Sequence, residues 1–167
     1  MPKFRELPKS VLRLIKLPPQ AAYALGLGPV IGRLVLLLTT TGRVSGKPRV
    51  TPLQYELVGD TILVGAARGL KSDWVRNLLA NPQVHVRVKS QRFTARAEVI
   101  HNTEEIADFL EVRLERRPGM MAAMLKADGI SSQPSRAQLL GYAAKIVVVK
   151  LHPNSRGCDA VNQVSDE

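Results

Sequence analysis

A single cysteine in 167 residues, Cys158, leaves nothing to pair with inside the chain, and its place in a polar tail suits a reducing compartment. Aromatics are also scarce: three Phe, three Tyr and one Trp, Trp74. Basic and aromatic residues nowhere alternate, so the stacking surface of a single-strand binder is missing and no nucleic-acid partner is expected. No metal site is read from the chain. Uninterrupted apolar sequence is short too. Residues 21–38 reach membrane-spanning length, but Gly26, Gly28, Pro29, Gly32 and Arg33 divide them into two elements joined by a turn. Arg13 and Lys16 break the apolar run that a secretory signal would need. The expected location is cytoplasmic, with membrane association as the second reading.

Two familiar phosphate motifs are absent. Gly42 and Gly46 enclose three residues rather than four, and Pro48 stands where a P-loop places Ser or Thr. Gly26, Gly28 and Gly32 have the wrong spacing for a dinucleotide fingerprint and follow a helix-like segment.

What the chain has is positive charge and enough apolar sequence for one core. The hydrophobic content of 45% over 167 residues supports one domain. Of the net charge of +10, residues 1–32 contribute +4, residues 33–96 contribute +8, and the remainder contributes −2. The excess follows the central segment, which therefore attracts a polyanion, whether nucleic acid, anionic lipid or a highly charged cofactor.

Residues 36–53, LLLTTTGRVSGKPRVTPL, carry most of that information. An aliphatic run at residues 34–39 is too short for a helix and reads as a buried strand. Gly42 and Gly46 permit a turn that exposes consecutive N–H groups, with Arg43, Lys47 and Arg49 around them and the hydroxyls of Thr39, Thr40 and Thr41 beside them. Such a turn suits a phosphate or a carboxylate. An ordinary basic hairpin is the alternative.

Before this stretch, residues 9–17 read as a short basic amphipathic helix ended by Pro18-Pro19, docked on its own domain or touching a membrane surface through Lys9, Arg13 and Lys16. After it come strands at 50–58 and 61–67 around Gly59-Asp60. A small basic loop over residues 68–71 leads to a helix over 74–80 that Ser72 or Asp73 caps. Strands follow at 84–88 and 92–100, turning near Ser90-Gln91. Asn102 and Glu105 read as a capping box for a helix ending near Arg117-Pro118. A further helix is expected over 119–128 and a last strand over 144–151. The sum is a small antiparallel barrel or sandwich decorated with helices.

The pattern TTTGRxSGxPRxTPL, then GD, a basic glycine loop and DWxxNLxANPxVxV, resembles the deazaflavin-dependent nitroreductase family. The resemblance covers residues 34–100, with a weaker continuation to 151. It implies an α+β chain, mainly antiparallel β: a split β-barrel of about six strands with peripheral helices. The implied domains are an N-terminal helical segment at 1–32, the barrel at 33–151, and a tail at 152–167. It also implies an oxidoreductase using coenzyme F-420, an 8-hydroxy-5-deazaflavin; the alternatives are the same barrel with FMN, the less favoured cofactor, or haem, or carrying a lipid, and a basic binding module for anionic lipid or nucleic acid. The expected acceptor of the oxidoreductase is small and apolar: a quinone, a nitroaromatic or an activated alkene. A homodimer is compatible with such a barrel. The cofactor-binding residues carried over are Arg43, Val44, Ser45, Arg49, Gly65, Ala66, Ala67, Arg68, Asp73, Trp74, Val75, Arg76, Asn77 and Arg117.

The chain departs from the family's pattern at one cofactor position, Val44, and at its substrate positions. Val44 stands where many members have Lys, and Gln54, Ala67 and residues 117–123 replace the Tyr, Ser and aromatics of nitro- and quinone-reducing members. Gln54, Met120, Met124 and Tyr142 are the expected substrate pocket, although methionines at helical spacing also read as core. No catalytic residue declares itself. His85, His101, Tyr55 and Tyr142 are candidate proton donors only by residue type, and solvent can serve instead.

Overall fold

The computed structural model describes residues 35–154. The segments read above as an N-terminal amphipathic helix and as the end of a polar tail lie outside them. Six strands close an antiparallel barrel in the order β1-β2-β3-β6-β5-β4. They are β1 (Val35–Thr41), β2 (Pro48–Val58), β3 (Thr61–Ala66), β4 (Gln83–Val88), β5 (Gln91–Ile100) and β6 (Val147–Pro153). Among the described residues there are four α-helices: α1 (Asp73–Ala80), α2 (Thr103–Arg116), α3 (Pro118–Ala127) and α4 (Arg136–Ala143). No helix of the described residues is long and apolar enough to cross a membrane.

The barrel follows from period-two patterning. Leu36 and Leu38 of β1, Val84, Val86 and Val88 of β4, and Phe93, Ala95 and Ala97 of β5 all turn inward to one core. Closure comes where β1 meets β4, pairing Leu37 with Arg87 and Thr39 with His85. Helix α1 plugs this core with Trp74, Val75 and Leu78. A second core forms outside the barrel, where Leu63 and Val148 meet Ile106, Phe109, Leu110, Met121 and Leu139 from α2, α3 and α4. Helices therefore cover the β3–β6 side of the barrel.

Local chemistry sets the connections. Gly59, at φ +57°, opens the two-residue Gly59-Asp60 link between the paired ends Val58 and Thr61. The β4–β5 turn is Lys89-Ser90, one residue earlier than expected, and Lys89 itself takes φ +50°. The expected capping box at α2 is half formed. Asn102 Oδ1 accepts from the N–H groups of Glu104 at 2.9 Å and Glu105 at 3.2 Å, while the Glu105 carboxylate leaves the cap for Lys150 Nζ. Its attraction to a cation on β6 outweighs the reciprocal cap bond.

Helix α4 is an element the sequence pattern did not disclose. It opens with a complete capping box, Ser135 with Gln138. Its brevity and weak apolar periodicity hid it. In consequence the last strand starts at Val147, three residues later than expected, and runs to Pro153 in register with Ala95.

Candidate functional site

The β1–β2 turn is built around a glycine that admits no side chain. Gly42 is buried and donates to Lys47 O at 2.8 Å; a Cβ there would stand 2.8 Å from Ser45 Oγ and 3.1 Å from Lys47 O. Gly46, at φ +65°, returns its N–H to Gly42 O at 2.7 Å, and Lys47 N–H reaches Ser45 Oγ at 3.3 Å. The turn thus spends the N–H groups of Gly42, Gly46 and Lys47 on itself. Of the consecutive N–H groups expected to face an anion, those of Val44 and Ser45 at the tip find no acceptor among the described residues.

Asn77 joins this turn to helix α1. Its buried amide oxygen accepts from both the N–H of Arg43 at 3.1 Å and Arg43 Nη1 at 3.2 Å, while Nδ2 donates to Thr40 Oγ1 at 3.2 Å. Thr40 in turn donates to Arg49 O at 3.5 Å. Thr40 is therefore an internal brace, 1% exposed, rather than a surface hydroxyl beside the ligand. Asp73 completes the arrangement by pairing with Arg43 Nη2 at 2.9 Å, with side-chain exposures of 32% for the arginine and 79% for the acid. At that exposure the pair adds little stability, about 0–1 kcal/mol, but it orients the guanidinium.

Between turn and helix lies a cleft of about 680 Å³. Its walls bring together seven residues carried over from the family pattern: Arg43, Val44, Ser45, Arg49, Asp73, Trp74 and Asn77. Pro48, Val50 and Thr51, which sequence reasoning passed over, complete it. Their signal was available, since they follow the glycine turn on the same strand. Trp74 is at once a core residue, 8% exposed, and a wall of the cleft. At the start of α1, Ser72 makes no side-chain cap bond, so first-turn N–H groups and the positive end of the helix dipole stand beside Arg43.

The remaining carried-over residues lie elsewhere. Val75 is in the barrel core, and Arg76 donates from Nε to Leu70 O at 3.0 Å. Gly65 faces outward under α2, where a Cβ would meet Phe109 Cε1 at 3.4 Å. Ala66 points into the barrel core and Ala67 is exposed. Arg68 lines a separate hollow. Met124 packs against the second core, beside the fully buried Met121, and Met120 is half-buried.

Gln54, Arg117 and Tyr142 belong to another assembly, centred on Glu56. This carboxylate is 3% exposed on the outer face of β2. Arg117 Nε stands 3.0 Å from its Oε1, Arg113 Nε 3.5 Å from the same atom, and Arg116 Nη1 3.9 Å from Oε2. Arg113 also donates to Gln54 Oε1 at 2.9 Å and lies over the Phe109 ring. Burial, and then the neighbouring Arg117, lower the pKa of Arg113, against the pull of Glu56. Tyr142 is pushed up to about 12, chiefly by burial and then by its hydrogen bond to Asp128. Neither Glu56 nor Arg113 was singled out from the sequence. Gln54 and Glu56 sharing one strand face was the available clue, together with an arginine on the apolar side of α2.

A closed six-stranded antiparallel barrel with a basic cleft between its first hairpin and the helix after its third strand defines the class. Solved structures share the fold. An F420-H2 dependent reductase matches with TM-score 0.50 and 23% identity over 72% of this chain and 95% of its own. A protein described as a domain-swapped dimer matches with TM-score 0.51 and 23% identity over 87% and 100%. The model of the F420H(2)-dependent quinone reductase family matches residues 24–139, and the chain belongs to that family. Among curated relatives, an F420H(2)-dependent quinone reductase of Mycobacterium tuberculosis (strain H37Rv) is 40% identical over 68 residues, 39% of this chain and 46% of that protein. The match thus spans less than half the length of that relative.

Proposed function

We propose that this chain binds coenzyme F-420 in the cleft between the β1–β2 turn and α1, and that it reduces a quinone or another small apolar acceptor there. The observation that carries the proposal is the junction of Arg43 with Asn77 and Asp73, which fixes a guanidinium at the mouth of the cleft beside an uncapped helix start. The residues present fit an anionic cofactor. Arg43 and Arg49 supply two cations, the tip N–H groups of Val44 and Ser45 supply neutral donors, and Gly42 lets the turn close without a side chain. The cleft volume, about 680 Å³, lies within the usual range for a cofactor site.

When bound, the reduced deazaflavin supplies a hydride to the acceptor. The protein's own contribution is orientation and exclusion of water. Asn77 and Asp73 hold Arg43 in one orientation, Trp74 forms an apolar wall, and Val50 offers aliphatic surface. Among the described residues no histidine, tyrosine or cysteine lines the cleft, and this reading takes the proton for the reduced acceptor from solvent. A cytoplasmic enzyme that associates with a second copy, and that meets a membrane surface through Lys9, Arg13 and Lys16, is the fuller form of this reading.

Titrating deazaflavin and FMN at equal ionic strength, with Trp74 fluorescence as the signal, tests the assignment. The deazaflavin is expected to bind more tightly, because its oligoglutamate tail adds negative charges that FMN lacks. Equal or tighter binding of FMN would overturn it.

A further inference from the structure

A second hollow, of about 380 Å³, is lined by the residues just before the segment that carries Asp73 and Trp74. Arg68, Lys71, His101 and Lys145 line it, over a floor that includes Ile106 and Val147. These residues come from three distant parts of the chain: the β3–α1 loop, the start of α2 and the α4–β6 link. Gly69 locks the first to the third. Its φ of +52° turns the loop so that a Cβ would stand 3.1 Å from Lys145 O.

Two features separate this hollow from an ordinary basic surface. No acidic side chain lines it, and none of its four basic side chains has an ion pair or side-chain hydrogen bond among the described residues. The nearest carboxylates along the chain are already engaged. Asp73 is on Arg43 at 2.9 Å, Glu104 is on Arg136 at 2.6 Å, and Glu98 is on His152 at 2.7 Å. In the main cleft, by contrast, one of the two lining arginines is paired with that same Asp73. The second hollow therefore concentrates three full positive charges and an imidazole, with no internal counter-charge.

We propose that this hollow is a subsite for a multiply charged carboxylate. The source that best fits the position is the oligoglutamate end of the cofactor placed in the main cleft, so the proposal rests on that reading. The two sites flank one short stretch, from Arg68 to Asp73, which includes the 3-10 turn Gly69–Lys71. At about 2 Å per residue in such a turn and at most about 3.5 Å in extended chain, the stretch spans roughly 10–15 Å, within reach of a few linked glutamates. Lys71 and Lys145 then bind together what neither would hold alone, with Arg68 and His101 adding to the same lining. A free polycarboxylate is the other source of the same chemistry.

The test compares the wild-type chain with the double variant Lys71→Ala, Lys145→Ala, using deazaflavins with no glutamate and with several. Wild-type affinity is expected to rise with tail length, most steeply at low salt. The double variant is expected to lose about tenfold of the long-tail affinity while binding the tail-less deazaflavin as before. A separate arm adds free γ-linked triglutamate to the wild-type chain without cofactor and follows the His101 imidazole signals by NMR. Movement of those signals supports the subsite even if no deazaflavin binds, in which case the functional reading fails and this one stands. A tail-length gain that survives in the double variant, or His101 signals unmoved by the tail and by free triglutamate, would overturn it.

Discussion

Arg43 meets Asp73 at the edge of the solvent, whereas Arg113 and Arg117 meet Glu56 beneath helices, with the carboxylate 3% exposed. Both are arginine–carboxylate contacts within 3.5 Å, yet they have opposite consequences. In the exposed pair the charges remain largely hydrated, so parting them costs little and Arg43 stays available to an incoming anion. In the buried assembly three guanidiniums converge on one carboxylate, with Arg113 also on Gln54 and Arg116 on Leu57 O, and the contacts fix the α2–α3 corner to β2. The first place sets a guanidinium on the wall of an open cleft, and the second ties a helix corner to the barrel. The difference lies in desolvation rather than in residue type.

The sharpest way to break the comparison is to remove the shared carboxylate. Glu56→Gln leaves the buried Arg113 and the half-buried Arg117 against a neutral amide and should destabilise the protein by about 3–5 kcal/mol. Denaturant unfolding measures this; a loss within experimental scatter would mean that the guanidiniums find water or another acceptor. Gly42→Ala attacks the other place. The new methyl presses on Lys47 O, a backbone atom that cannot rotate away, so a cost of about 1–3 kcal/mol is expected, with weaker cofactor binding. Thermal melts and the deazaflavin titration would register both effects.

Tyr142 offers a smaller, pH-dependent test of the buried side. Its folded-state pKa is raised from 10.0 to about 12, so the fold favours the neutral phenol. Its contribution to stability is complete below pH 10 and fades as the pH rises through about 12. Tyr142→Phe should remove that alkaline loss. Tyrosinate absorbance and melting temperature across this window check it, and a phenol ionising at its ordinary value would contradict the placement.

The same comparison explains what could be read in the chain. Alternation in β4 and β5, the Gly59-Asp60 turn and the Asn102 cap are local, and each appears where its residues indicate. Helix α4 was missed because its short sequence carries little apolar periodicity; tertiary packing of Leu139, Tyr142 and Ala143 against α2 holds it. At the cleft, Arg43, Ser45, Asp73 and Asn77 were legible because turn and helix each carry a compact motif. The roles of Arg117 and Gln54 depend on Glu56 and Arg113, which converge only through the fold. Thr40 was named for the wrong face, since strand direction alone decides whether its hydroxyl meets ligand or Asn77.

One paired measurement addresses the central distinction: the effects of Arg43→Ala and Arg117→Ala on deazaflavin affinity and on unfolding free energy, measured in the same buffer. Arg43→Ala should weaken binding by about 1.5–3 kcal/mol and leave stability within about 1 kcal/mol, because a charge-assisted ligand contact is lost, the broken ion pair is exposed, and Asn77 Oδ1 keeps the backbone N–H of residue 43 when it loses Nη1. Arg117→Ala should do the reverse, lowering stability with little change in affinity for the folded protein. Affinity lost in Arg117→Ala without loss of stability, or affinity retained in Arg43→Ala, would contradict the division between a ligand-facing arginine and a structural one.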